Sequence, residues 1–102
     1  MLQQDLILQP KLIAEEVARL ARHILGYDIK VIWFGSWPKG TARPHADIDI
    51  AIDAAEAIPL PQMAALRNAI DDIATLHEID LIDLHTVSET FREETLRHGI
   101  LL

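Results

Sequence analysis

The sequence predicts a small α/β domain of the α+β kind, with a mixed sheet of three to four strands and helices packed on one face. Three observations carry that reading. The first is the strict alternation of Asp47 to Asp53 (DIDIAID), which puts Ile48, Ile50 and Ile52 on one side of a half-buried strand. The second is the recurrence of Ile13, Val17, Leu20 and Ile24 at 3-4-3 spacing, the apolar stripe of an amphipathic helix. The third is the order of such segments along 102 residues: helix, strand, strand, helix, strand, helix. That length builds one core, so residues 1–102 are expected to form a single domain.

The first helix spans Pro10 to Leu25, with Pro10 suited to the first turn and Gly26 to the stop. Lys30 to Phe34 (KVIWF) is a β-rich run that ends at Gly35-Ser36, which predicts a strand entering a turn. Trp37 to Pro44 holds two prolines and a glycine and reads as loop with room for a short helical turn. In the following strand Asp47, Asp49, Ala51 and Asp53 oppose the isoleucines. Pro59 and Pro61 introduce a second long helix carrying Met63, Leu66, Ile70 and Ile73. Glu78 to His85 (EIDLIDLH) is the third strand, and Glu89 to His98 the last helix, with Thr90 and Glu93 placed to form a capping box. The ending GILL reads as a short edge strand or as a surface that packs on another chain. Strands joined by a short loop pair antiparallel, whereas the third follows a helical crossover and can lie parallel to a neighbour. The carboxylate-bearing face is expected to stay open.

Charge and composition narrow the functions. Sixteen acidic residues against nine Lys plus Arg give a formal net charge of −7, which repels phosphate backbones and disfavours nonspecific nucleic-acid binding. No cysteine is present, which excludes disulfides, thiolate metal sites and thiol nucleophiles. The first residues, MLQQDLILQPK, lack the basic and long apolar regions of a secretory signal, and no run approaches a membrane span. A cytoplasmic protein is the expectation. Within this acidic chain, Ile29 to Ala46 contains no acid at all but holds Lys30, Lys39, Arg43 and His45. Asp47, Asp49 and Asp53 follow at once. A cationic loop beside clustered carboxylates suits a polyphosphate held next to metal ions.

The informative string is GSWPKGTARPHADID: Gly35-Ser36, ten residues, then Asp47-Ile48-Asp49. Two carboxylates at i and i+2 on a strand point the same way, about 7 Å apart at their roots, and repel unless a cation lies between them. Carboxylate oxygens are the ligands Mg²⁺ prefers. A glycine at the turn lets phosphates approach the backbone, and a serine adds a hydroxyl. Taken singly, the aspartates would be a solvated strand face and the Gly-Ser pair an ordinary turn. Their combination with a later strand carrying Asp80 points to chemistry.

This string resembles the DNA polymerase β-like nucleotidyltransferases, and among them the minimal nucleotidyltransferase (MNT) group. The resemblance covers Val31 to Asp53 closely and the remaining chain in element order. It implies a nucleotidyltransferase fold and a two-metal mechanism with Asp47, Asp49 and Asp80 as catalytic and metal-binding acids. It further implies two Mg²⁺ ions, ATP as substrate, and nucleotide contacts from Gly35, Ser36, Lys39 and Arg43. Asp83 competes with Asp80 for the third position but needs a bulge to reach the same face. Trp37 and Pro38 stand where relatives often have Arg and a small residue, and Ala46 where Ser commonly stands. These departures spare the acids but weaken the expected phosphate grip. Trp37 reads as a packing aromatic or partner contact ahead of a base-stacking ring. The five histidines show no shared metal spacing and read as surface or boundary residues.

Relatives of this size are often paired with a HEPN-domain protein in toxin–antitoxin modules. The resemblance therefore implies an antitoxin acting as a protein adenylyltransferase, moving AMP from ATP to a hydroxyl, specifically a tyrosine of a HEPN partner. A non-catalytic MNT-type module that neutralises its partner by contact is the alternative, as is transfer to a small molecule. The small-molecule reading requires a homo-oligomer to complete the site.

Overall fold

The computed structural model describes residues 9–102, so the expectation drawn from MLQQDLILQPK lies for the most part outside the described residues. Helix α1 (Pro10–Leu25) leads into β1 (Lys30–Phe34), the short helix α2 (Ser36–Lys39) and β2 (Ile48–Asp53). Helix α3 (Leu60–Asp71), β3 (Ile79–Asp83), a 3₁₀ turn (Leu84–Thr86), α4 (Glu89–His98) and β4 (Ile100–Leu101) complete the order. The four strands form one mixed sheet, β3-β2-β1-β4. β1 is antiparallel to both β2 and β4, while β2 and β3 run parallel across the α3 crossover. Among the described residues no helix is long and apolar enough to cross a membrane.

The core lies between the sheet and helices α1 and α3. Ile48, Ile50 and Ile52 are fully buried there with Val31 and Trp33 of β1, as alternation requires. Leu66 of α3 is fully buried, with Met63 and Ile70 beside it, while Ile73 is only partly covered. Burying such a side chain is worth about 1.5–3 kcal/mol. The α1 face is rotated from the expected stripe. Its buried residues are Ile13, Ala14, Val17, Ala18 and Ala21, whereas Leu20 and Ile24 lie at the margin. The alanines share the buried face with Ile13 and Val17, where small side chains allow close packing, and Leu20 and Ile24 fill the flank.

The second face is less open than expected. Leu84 of the 3₁₀ turn covers Ala51 and Ile32, which makes a small second core of these three buried residues. Phe91 of α4 meets Phe34 edge-on, with ring centroids 5.7 Å apart, and Arg92 donates to Asp53 at 2.9 Å. So α1 and α3 cover one face as expected, and α4 closes part of the other. Among the described residues, the end of the sheet where β1 finishes and β2 begins is left to the carboxylates.

Two local signals resolve differently from the sequence reading. Strand β3 stops at Asp83, because the Asp83 carboxylate accepts the backbone N–H of His85 and turns the chain. Helix α4 is capped by Ser88, whose hydroxyl accepts from Phe91 N–H at 3.1 Å, and Thr90 already lies inside the first turn. The GILL ending is the edge strand β4, paired with Ile32 and Trp33 of β1. Gly99 makes that return feasible, since a Cβ there would meet Ile32 and lie 2.6 Å from the Thr95 carbonyl.

Candidate active site

Asp49 and Asp80 are register partners on the parallel strands β2 and β3, so their side chains rise from the same face on adjacent strands, about 4.8 Å apart. Asp47 stands two residues earlier, exposed, just before the ladder begins. The competitor Asp83 is on the opposite face, 4% exposed. There its carboxylate accepts from Ile58 N–H at 2.8 Å and from His85 N–H at 2.9 Å. It ties the segment after β2 to the end of β3 and is unable to join the cluster.

Burial, with the neighbouring acids, shows in the protonation of Asp49. Asp49 is pushed up from 3.8 to about 6, first by burial, then by the charge of Asp80, then by Asp47, with a hydrogen bond to Asp80 adding to it. A carboxylate raised this way is a group waiting for a proton or a cation.

Gly35 ends the Gly-Ser approach directly on Asp49. Its φ of 86° belongs to glycine, and a Cβ at this position would collide with the Asp49 carboxylate. The glycine is thus required by conformation and by space, a second reason beyond phosphate access. Ser36 opens α2, partly exposed, and Lys39 closes it. Phe34, Gly35, Lys39, Phe91, Glu94 and His98 border a recess of about 240 Å³ on the α4 side of the turn. Arg43 is exposed in the loop before β2, and among the described residues its side chain makes no hydrogen bond or ion pair. Proximity to the carboxylates is therefore established for Gly35 and not for Arg43.

Two groups of residues near the acids were not assigned to the site from the sequence. Arg67 of α3 borders a recess of about 450 Å³ with Phe34, Asp49, Asp71, Asp80 and Ile82, and donates to the Leu81 carbonyl at 3.1 Å. Trp37 and His77 both reach the carbonyl of Ala46, at 3.1 and 3.0 Å, immediately before Asp47. Trp37 is half-buried against the main core, which fits its reading as a packing aromatic.

Hard carboxylate oxygens on one face, with a glycine turn beside them, match the donor set of a Mg²⁺ site. Among the described residues no group of three or more histidines, aspartates or glutamates is placed to hold a metal ion. Mg²⁺ does not require one, because it keeps several waters and takes one or two carboxylates together with substrate phosphate oxygens. Asp49 and Asp80, with Asp47 at the rim, could hold such ions.

This geometry on a mixed four-stranded sheet defines a class. Residues 12–102 match the family described as Polymerase beta, Nucleotidyltransferase, and the chain belongs to that family. Its fold is that of a minimal nucleotidyltransferase: a solved structure so described is 26% identical, with a TM-score of 0.68 over 90% of this chain and 91% of that one. A curated relative in Haemophilus influenzae, named Probable protein adenylyltransferase MntA, is 36% identical over 63 residues. That match spans 61% of this chain and 55% of the relative. A toxin–antitoxin structure with AMP-PNP is 25% identical, with a TM-score of 0.63 over 86% of this chain and 70% of that one.

Proposed function

We propose that this chain is a metal-dependent adenylyltransferase that moves AMP from ATP to a hydroxyl of a partner protein and serves as the antitoxin of a toxin–antitoxin pair. The observation that carries the reading is the Asp49–Asp80 pair, aligned across a parallel ladder with Gly35 seated against it. The names of the adenylyltransferase relative and of the AMP-PNP complex support the nucleotide and the pairing. The resemblance seen in the sequence adds a HEPN-domain chain as the partner and a tyrosine as the acceptor.

Asp47, Asp49 and Asp80 would hold two Mg²⁺ ions. Bound there, the ions supply charge neutralisation at the triphosphate and a lowered pKa for the attacking hydroxyl. Gly35 lets the phosphate chain approach the backbone, Ser36 offers a hydroxyl to it, and Lys39 adds a positive charge at the end of α2. Asp80, exposed beside the recess that Arg67 also borders, would face the acceptor. The acceptor oxygen bonds to the α-phosphorus as the bond to the pyrophosphate oxygen breaks. Its proton passes to the carboxylate cluster, and pyrophosphate leaves.

The test is transfer of α-labelled AMP from ATP to the co-expressed partner, read by mass spectrometry and by label. Wild type should add AMP, and the Asp47→Ala plus Asp49→Ala protein should lose all transfer while still folding. Equal labelling by the double variant refutes the catalytic reading.

A further inference from the structure

We propose that Trp37 and His77 form a two-ring clamp that positions Asp47 for metal binding by gripping the backbone carbonyl of Ala46. The inference rests on the proposed function, because it assigns Asp47 a metal to bind.

Asp47 is the one acid of the cluster outside the β2 ladder, which begins at Ile48. Its side chain is exposed, and among the described residues it accepts no hydrogen bond, so its position depends on its backbone. That backbone is held on both sides. After it, Ile48 N–H donates to the Glu78 carbonyl at 2.8 Å. Before it, Trp37 Nε1–H donates to the Ala46 carbonyl at 3.1 Å, and His77 Nδ1 lies 3.0 Å from the same oxygen. A carbonyl only accepts, so the His77 hydrogen is on Nδ1 in this contact. The two rings brace each other edge-on, with centroids 5.9 Å apart at 74°.

The donors come from the segments that carry the rest of the site. Trp37 follows Gly35-Ser36 by one residue, and His77 precedes Asp80 by three. One oxygen therefore ties the Gly-Ser turn, the segment of Asp47 that leads into β2, and the segment that leads into the strand of Asp80 to a common point. Trp37 also packs against the main core, so the clamp is anchored to a fixed body. A carboxylate without partners of its own needs such support to stay within ligand distance, since loose supporting contacts cost metal affinity. Trp37 and His77 touch neither metal nor substrate and are positioning residues.

The experiment is Mn²⁺ binding to the metal-free protein, followed by electron paramagnetic resonance. Four variants are compared with wild type: Trp37→Phe, which keeps a ring and loses the donor, His77→Ala, the double variant, and His77→Asn. Each lost hydrogen bond should weaken Mn²⁺ binding about fivefold. The double variant should be weaker than either single one. His77→Asn, whose amide N–H can stand in for Nδ1–H, should return affinity close to wild type, a rescue that a bulk packing role does not give. Because Trp37 and His77 come from different elements, folding failure in one variant leaves the other decisive. If wild type takes up no Mn²⁺, either alone or with a non-hydrolysable ATP analogue present, the proposed function falls and the clamp with it. If wild type binds and the folded variants bind equally well, the clamp alone is refuted.

Discussion

Replacing Asp49 by Asn should make the metal-free protein more stable while destroying the site. The structure supplies the size of the effect. Burial and the neighbouring charges of Asp80 and Asp47 hold the Asp49 carboxyl at about 6 in place of 3.8. A displacement of that extent is equivalent to about 3 kcal/mol for a fully sequestered group. Asp49 is half-buried, so solvent screening reduces the penalty to about 1 kcal/mol. The sign follows from linkage: the folded state binds the proton more tightly than the unfolded state, so stability falls as pH rises from about 4 through 6 and levels off above. Asn carries no charge and escapes that loss. In chelator-treated samples, Asp49→Asn should therefore raise the melting temperature by about 4–8 °C at pH 7.5, a gain that disappears towards pH 4. Circular dichroism melts at several pH values measure it directly. A variant that melts lower than wild type at pH 7.5, or a gain independent of pH, refutes the view that these acids repel one another.

Two further outcomes separate structural from functional carboxylates. Asp83→Ala leaves the N–H groups of Ile58 and His85 without their acceptor and should cost about 2–3 kcal/mol in urea unfolding, with Mn²⁺ affinity unchanged. Asp80→Ala should do the reverse, sparing stability and abolishing metal uptake. Gly35→Ala forces a side chain into a positive-φ position against Asp49, at a cost of about 1–3 kcal/mol, and should weaken nucleotide binding measured by calorimetry more than tenfold.

Much of the candidate site was legible because the chain places it locally. Gly35, Ser36, Asp47 and Asp49 lie within fifteen residues, and the alternation of DIDIAID assigns the two acids a common side without any tertiary information. The alternation of EIDLID likewise sets Asp80 and Asp83 on opposite faces. Which face belongs with Asp49 needed the parallel register of β3 on β2, which pairs residues thirty-one positions apart.

Short-range periodicity, by itself, determined the mixed sheet, the two long helices and the candidate acids, because strand and helix repeats are written in neighbouring residues. Tertiary packing alone decided the rest. It turned α1 so that Ala14, Ala18 and Ala21 are buried, laid α4 over Phe34, and buried Asp83 under backbone donors. It also brought Trp37 and His77, forty residues apart, onto one carbonyl oxygen. Such contacts depend on how rigid elements meet in space, a property that no run of adjacent residues encodes.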